Sequence, residues 1–232
     1  PGTEGEIESS IMMKHFSLRY SLLTFRLDQL WLPAALWALC AIVTFFRGTT
    51  VGAFDIARGY LGGIVPLVGG IMAAYALVDD PILEVRFATP VKAAWYLIER
   101  LGMIFVVRMI CALTYQWFAQ AMGADLLRLN GWAGVQLGWL IPTITLMALG
   151  CAGSLLFANT TAGAALVGVT WLLEVVLRDW MMQNGSQYVL FLMGVLYPAA
   201  PALKISQAVL AGLSLGLLIL SWRLLYRQER YI

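Results

Sequence analysis

The sequence is poor in charge. Only 12% of its 232 residues are Asp, Glu, Lys or Arg, whereas 61% are hydrophobic, and the mean hydropathy is +0.80. A soluble globular domain contains about 25% charged residues. We therefore expect a chain whose main solvent is membrane lipid. The formal net charge of +2 is too small to indicate a nucleic-acid partner.

Groups that commonly take part in catalysis are also scarce. The one histidine, His15, lies outside every long apolar run, which excludes serine–histidine proteolysis within the membrane. The three cysteines, Cys40, Cys111 and Cys151, have no metal-binding spacing and indicate small buried hydrophobes. No GxxxxGK[ST] motif occurs, so we do not expect the chain to bind ATP by itself. The sequence predicts no enzyme and no catalytic, cofactor-binding or metal-binding residue.

Long apolar runs predict an all-α integral membrane protein. A membrane helix needs about 20 mostly apolar residues. The longest uncharged run is too long for one crossing, and the polar residues at 159–161 divide it in two. Six transmembrane helices are therefore predicted, at about residues 30–46, 59–78, 97–121, 131–156, 162–177 and 208–225.

One further apolar segment, residues 188–202, is too short to be a comfortable crossing. Pro198 and Pro201 follow its apolar core directly, and apolar segments of about 10–14 residues are more often re-entrant than spanning. We predict that it dips into the outer leaflet between spans five and six. A seventh crossing is the alternative.

The distribution of basic residues predicts the orientation. With both termini in the cytoplasm, nine Lys and Arg residues flank the inner ends of the spans and five flank the outer ends, leaving out Arg108. This bias favours a multi-pass protein of the cell (inner or plasma) membrane with both termini cytoplasmic. Residues 1–14 are predicted to be a flexible tail. Residues 15–28 have apolar positions at helical spacing among arginines and predict an interfacial elbow helix; a cytoplasmic extension of the first span is the alternative.

A short amphipathic element is predicted after the second span, in the sequence DDPILEVRFATP. Asp80 can cap a helix whose first position is Pro81, and Pro90 disfavours helix at the residue before it. Leu83 and Phe87 lie one turn apart on one face. A helix of about two turns at residues 80–89 is too short to be stable alone, so it needs a partner surface. An ordinary interfacial loop is the alternative.

The run FATPV at 87–91, with the acidic stretch and short helix before it, resembles the segment after the second span of ATP-binding-cassette permeases of the type-two exporter family. The six spans, the elbow helix and the broken insertion between spans five and six resemble the plan of that family as well. The resemblance implies that residues 80–89 are a coupling helix. It would contact a separate ATPase subunit through Asp80, Ile82, Leu83, Glu84, Arg86 and Phe87.

The resemblance also implies a permease subunit of an ATP-driven exporter, paired with a second permease copy or paralogue. ATP and magnesium would be bound by the ATPase subunit, and membrane lipid would surround the spans. A non-transport membrane scaffold or assembly protein is the alternative function, and a secondary transporter is a weaker one, because paired broken helices in two internal repeats are not evident.

Charged and aromatic residues within the spans are candidates for a translocation path: Arg108, Glu174, Tyr60, Tyr115 and Trp117. Charged side chains in a membrane are costly and often functional. Arg108 is also interpretable as an anchor that snorkels to the inner interface from about two turns away. Glu174 is alternatively paired with Arg178, four residues later, and the aromatic residues suit lipid-belt positions equally well.

Overall fold

The computed structural model of the protein describes residues 28–76, 93–184 and 186–225, with the side chains of residues 28–30 and 93–96 left out. The predicted tail at 1–14, nearly all of the predicted elbow helix at 15–28 and the predicted coupling helix at 80–89 lie outside the described residues. The six coupling-helix contacts that the resemblance implies therefore stay predictions.

The described part of the chain is entirely helical and contains no strand. Six long helices follow one another, and we label them in chain order. They are α1 (Asp28–Arg47), α2 (Thr50–Tyr75), α3 (Ala93–Ala121), α4 (Gly131–Phe157), α5 (Thr160–Gln183) and α6 (Leu203–Leu225).

Four of these helices, α2, α4, α5 and α6, are long and apolar enough to cross a membrane, and α1 contains a shorter apolar helix, Trp31–Arg47. Large apolar side chains also cover the outside of the bundle. Phe46, Trp117 and Val176 are 81%, 77% and 69% exposed. An exposed apolar surface of this kind is typical of contact with lipid or with another protein. The prediction of an all-α chain is confirmed, with four candidate spanning helices.

Several helices begin or end beyond the predicted spans, and the largest differences are in α2 and α5. Helix α2 starts at Thr50, not at residue 59, because the Thr49 side chain caps it by accepting a hydrogen bond from the Gly52 N–H at 3.1 Å. Asp55 and Arg58 lie on this first part of the helix and form a partly exposed ion pair. The Arg58 Nη2 and Asp55 Oδ1 atoms are 3.8 Å apart. Arg58, one of the five basic residues counted at the outer ends of the spans, is therefore a helix residue. Helix α5 likewise continues to Gln183 instead of ending at 177.

The helix connections define two ends of the bundle. At the Thr50 end, a Cβ atom on Gly123, which follows α3, would lie 3.0 Å from the Thr50 side chain. At the opposite end, which we call the Tyr75 end, Ala76, Leu97, Leu155 and Leu225 belong to one buried cluster. The end of α2, the beginning of α3 and the end of α6 therefore lie on the same side of the bundle.

Helices α2 and α4 form the centre of the bundle. Two-thirds of the apolar window of each is buried, against about a fifth of the windows in α5 and α6. The centre is tight because Gly70 and Gly150 bring the two backbones together: a Cβ atom on Gly150 would overlap the Gly70 carbonyl oxygen. Small residues that allow such close approach are typical of membrane helix contacts.

Candidate functional site

The segment between α5 and α6 enters the helix bundle at the Thr50 end and turns back. It contains a 3₁₀-helix at Ser186–Val189 and a short α-helix at Met193–Leu196, and its residues 190–195 are buried. Val195 lies against Gly62 of α2. Gly62 is about 18 Å along the helix from Thr50, at a rise of about 1.5 Å per residue. Tyr197 then donates a hydrogen bond to Asp179, near the end of α5, at 3.2 Å. Residues 188–202 thus dip into the bundle, and we call them the dipping segment; their entry into the outer leaflet stays a prediction.

Side chains of the flanking helices satisfy the backbone at the tip of the dipping segment. The Phe191 N–H donates to Oε1 of Glu174 on α5. The Ser206 hydroxyl on α6 donates to the Leu190 carbonyl oxygen at 3.3 Å. Irregular backbone within a membrane is tolerated only where protein or water satisfies its polar groups. Glu174 and Ser206 supply two of those contacts here.

Glycine residues make room for the dipping segment. A Cβ atom on Gly62 of α2 would overlap the Val195 side chain, and a Cβ atom on Gly194 would lie 2.9 Å from the Gly138 Cα of α4. The segment is therefore seated against two central helices at positions where a larger residue does not fit.

Helix α2 changes its winding at the same place. Residues Tyr60–Ile64 form a π-helical turn inside it. Such turns are rare and occur frequently at functional sites. The widened turn includes Gly62, so it faces the dipping segment directly.

A cavity of about 480 Å³ lies between α2, α5 and the dipping segment. Its volume falls within the range of about 300–1,000 Å³ that small-molecule sites occupy. Most of its wall is apolar, with the π-helical turn on one side and α5 on the other. The main apolar contributors are Ile56, Tyr60, Ile64, Trp171, Val175 and Val195.

Three charged residues also line this cavity: Asp55 and Arg58 of α2 and Arg178 of α5. Each belongs to a part of its helix near the Thr50 end. Arg178 lies 3.5 Å from Asp179, with both side chains well exposed. The cavity therefore combines an apolar body with a charged mouth that carries one more positive than negative group.

Tyr60 and Tyr115, two of the predicted path residues, are packed together. They are 1% and 0% exposed, and their ring centroids lie 4.2 Å apart. The Tyr115 hydroxyl is 2.8 Å from the Thr44 hydroxyl and 3.3 Å from the Cys40 carbonyl oxygen, which ties α3 to α1. Only Tyr60 lines the cavity; Tyr115 supports it from behind.

Trp117 lies away from this site. Its side chain is 77% exposed on the outside of α3, two positions after the buried Tyr115, and successive positions this far apart point to different faces of a helix. The proposal that Trp117 lines an internal path is not supported by its position, and its exposed setting is the one expected of a lipid-facing residue.

Arg108 is buried near the middle of α3 and does not snorkel. The helix starts at Ala93, so Arg108 lies about 22 Å from its beginning, and it is 1% exposed. Its Nη2 contacts the Met72 sulfur atom of α2, and its Nε has no hydrogen-bond partner within the described residues. The anchor interpretation is therefore wrong, because it assumed a helix start only about two turns away.

Glu174 does not pair with Arg178, which corrects another sequence interpretation. Its carboxylate is 3% exposed and turns toward Phe191, whereas Arg178 pairs with Asp179. Its second oxygen, Oε2, is buried without a hydrogen-bond partner in the part of the chain that the structure describes. The burial of the dipping segment favours this contact, because a buried backbone N–H needs a hydrogen-bond partner.

Apart from Tyr60, the sequence analysis did not identify the apolar residues that shape the cavity. Trp171, Val175 and Val195 look like ordinary apolar positions of a span, and Gly62 like one of many glycines. The useful signal was the paired Gly62–Gly63 in an apolar run opposite a broken apolar segment. Among the described residues, no group of three His, Cys, Asp or Glu is arranged to hold a metal.

A second cavity of about 490 Å³, about as open to the outside as the first, lies between α3, α4 and α6, toward the Tyr75 end. It is lined by apolar side chains that include Leu101, Phe105, Met147 and Ile219. Arg108, one turn beyond Phe105, does not line it. The two cavities are therefore distinct, and only the one beneath the dipping segment combines charged and apolar groups.

No protein-family model, curated protein or solved structure matches this chain in any of the three comparisons.

Proposed function

We propose that the protein is the membrane-spanning permease subunit of an ATP-driven exporter, and that a separate ATPase subunit powers it. The six long helices would be six membrane spans, with the Thr50 end outside the cell and the Tyr75 end in the cytoplasm. The observation that carries this proposal is the cavity between α2, α5 and the dipping segment.

The form of this cavity suits transport better than simple scaffolding. A scaffold needs exposed binding surfaces, whereas a transporter needs an internal space with a movable cover. The dipping segment is short, irregular and held by few polar contacts, Glu174 with Phe191 and Ser206 with Leu190 among them. Under this proposal the dipping segment would move as the cover of the cavity, although its residues 190–195 are buried.

The proposal assigns the contact with the ATPase to the segment at 80–89. The described residues on either side of this segment, Ala76 and Leu97, lie at the Tyr75 end. A coupling helix there would contact the ATPase through Asp80, Ile82, Leu83, Glu84, Arg86 and Phe87. ATP and magnesium would remain on the ATPase, and a second copy or paralogue of this chain would complete the permease.

Two other functions remain as alternatives. A membrane scaffold or assembly protein would use the same surfaces only for binding. A secondary transporter would use the internal cavity without an ATPase. The three functions differ in whether an ATPase binds the chain and whether its hydrolysis moves a ligand.

The test is purification of the tagged full chain from its native membrane, followed by reconstitution in vesicles. We expect an ATPase subunit to co-purify and its hydrolysis to require the permease. The Phe87→Ala variant should lose this partner, whereas Phe46→Ala, an exposed phenylalanine at the other end, should retain it. Purification of the folded chain without any ATPase, and without ATP-dependent transport, would favour the scaffold.

A further inference from the structure

Under the proposed topology, the mouth of the cavity would lie at the depth of the membrane interface. Arg58 is about 12 Å from Thr50, and Arg178 is about 8 Å from the end of α5 at Gln183. Headgroup regions extend the bilayer from about 30 Å of hydrocarbon to about 40–45 Å in total. Under the proposed topology, the two guanidinium groups would therefore lie in or next to the outer headgroup layer.

The two arginines have only weak partners among the described residues. Arg58 is 3.8 Å from Asp55, and Arg178 is 3.5 Å from Asp179. All four side chains are at least a third exposed, and exposed ion pairs contribute little. Asp179 also accepts a hydrogen bond from Tyr197 of the dipping segment. An incoming anion can therefore replace these contacts with charge-assisted hydrogen bonds of better geometry.

The body of the cavity suits an apolar chain or ring. Tyr60, Val175 and Val195 bring apolar surface from all three of its walls. The Trp171 ring adds further apolar surface on the α5 side.

We propose that this cavity binds an anionic amphiphile, with its phosphate-like or carboxylate head at Arg58 and Arg178 and its apolar part between α2, α5 and the dipping segment. This inference rests on the proposed function, because it names the substrate class of the same path. Two arginines and one aspartate line the mouth, and Asp179 lies beside Arg178. Selection for an anionic head therefore comes from the exposed guanidinium donors, which a cationic or neutral head cannot pair with in the same way.

The experiment measures binding to the purified full chain in nanodiscs of phosphatidylcholine, with empty nanodiscs to correct for partitioning. Three probes share one tail and differ in charge: dodecyl phosphate, dodecylphosphocholine and dodecyl maltoside. The change in tryptophan fluorescence reports occupancy near Trp171. We expect dodecyl phosphate to bind at least about fivefold more tightly than the other two, as one favourable cation near a membrane surface predicts.

Matched variants test the two parts of the site. Arg58→Gln and Arg178→Gln should each weaken dodecyl phosphate binding about fivefold. Arg128→Gln should not, although Arg128 forms the same kind of i,i+3 pair, with Asp125, at the same end of the bundle. Val175→Trp should fill the cavity and abolish binding, whereas Val176→Trp, at the neighbouring exposed position, should leave it unchanged.

Several results would overturn the proposal. Equal binding of the three probes would contradict selection by charge. Equal losses of binding in Arg58→Gln and Arg128→Gln would contradict the assignment of the head group to Arg58. Normal binding by a folded Val175→Trp protein would place the ligand elsewhere. Displacement of dodecyl phosphate by an equal concentration of inorganic phosphate would show a free-anion site and not an amphiphile site.

The assay also separates this proposal from the proposed function, because it uses neither ATP nor an ATPase. If the chain binds dodecyl phosphate as expected but never assembles with an ATPase, the amphiphile site is supported and the exporter function is rejected. A chain that assembles with an ATPase but shows no charge selection rejects only the ligand class.

Discussion

Glu174 on α5 accepts a hydrogen bond from the backbone N–H of Phe191, 17 positions later in the chain. Burial of a carboxylate is costly, and this hydrogen bond gives the buried Glu174 side chain a structural role. It holds the tip of the dipping segment against α5, next to a cavity that the same segment covers. The predictions below test this arrangement and the function proposed for it.

Removal of the Glu174 acceptor should loosen the dipping segment. In Glu174→Ala the Phe191 N–H is left buried without a partner, which costs about 1–3 kcal/mol. Glu174→Gln keeps an acceptor oxygen and should lose less. Thermal unfolding of the purified variants checks the order, with the exposed Leu173→Ala as a control. Equal stability of wild type and Glu174→Ala would remove the structural role of this contact.

A side chain at position 62 should displace the dipping segment. A Cβ atom on Gly62 would overlap Val195, so we expect Gly62→Ala to increase hydrogen exchange at residues 190–196. Gly59→Ala adds a methyl group to the same helix, where nothing lies within 4 Å, and should not change exchange there. The double variant Gly62→Ala, Val195→Ala should restore protection in part, because it removes the two overlapping methyl groups but keeps the Val195 Cβ atom, 2.6 Å away. Failure of that restoration would argue against a direct contact.

The buried charge of Arg108 should be retained for function and not for stability. A buried ion costs several kcal/mol unless it is well paired, and Arg108 has no acidic partner among the described residues. We expect Arg108→Met to raise the free energy of unfolding by at least about 1 kcal/mol, which thermal unfolding would detect. The same variant should lose ATP-driven export. Arg108→Lys, which keeps the charge, should retain part of the export.

The control for Arg108 is Arg223→Met, an exposed position in the last turn of α6. It should change neither property. An Arg108→Met protein that exports normally would show that the charge has no transport role, and one that fails to accumulate would show a structural role instead.

The proposed coupling contact predicts a loss of ATPase binding or of coupling when Phe87, which lies outside the described residues, is changed. Burial of a phenylalanine side chain contributes about 1.5–3 kcal/mol, so Phe87→Ala should weaken binding of the ATPase or uncouple its hydrolysis from transport. Glu84→Gln and Arg86→Gln should have smaller, salt-sensitive effects. Co-purification at two salt concentrations measures both. Wild-type assembly and transport in a combined Leu83→Ala, Phe87→Ala variant would leave residues 80–89 as an ordinary loop.

The proposed topology predicts opposite labelling of the two ends. In a background without the three native cysteines, Glu84→Cys should react with a membrane-impermeant thiol reagent only after the cells are opened. Leu127→Cys, an exposed position at the Thr50 end, should react in intact cells. Labelling of both positions from outside would reject the orientation that the basic residues predict.

The sequence by itself was sufficient for the helical plan. Long uncharged runs predict buried or membrane helices because backbone polar groups must be satisfied internally in an apolar medium. The polar residues at 159–161 and the two prolines at 198 and 201 divide those runs where the structure has its turns. The dip of residues 188–202 was also predictable, since an apolar segment of that length is too short to cross.

The tertiary structure alone decided which side chains meet. Spans that are apolar on every face have little helical periodicity, so the sequence does not show which face of a helix points inward. For this reason Tyr115 and Trp117 looked equivalent, yet one is fully buried and the other is 77% exposed. Glu174 likewise had a plausible partner in Arg178, four residues away, but its carboxylate bonds a backbone N–H of the dipping segment. That choice depends on desolvation by a segment distant in sequence, and only packing of the folded chain determines it.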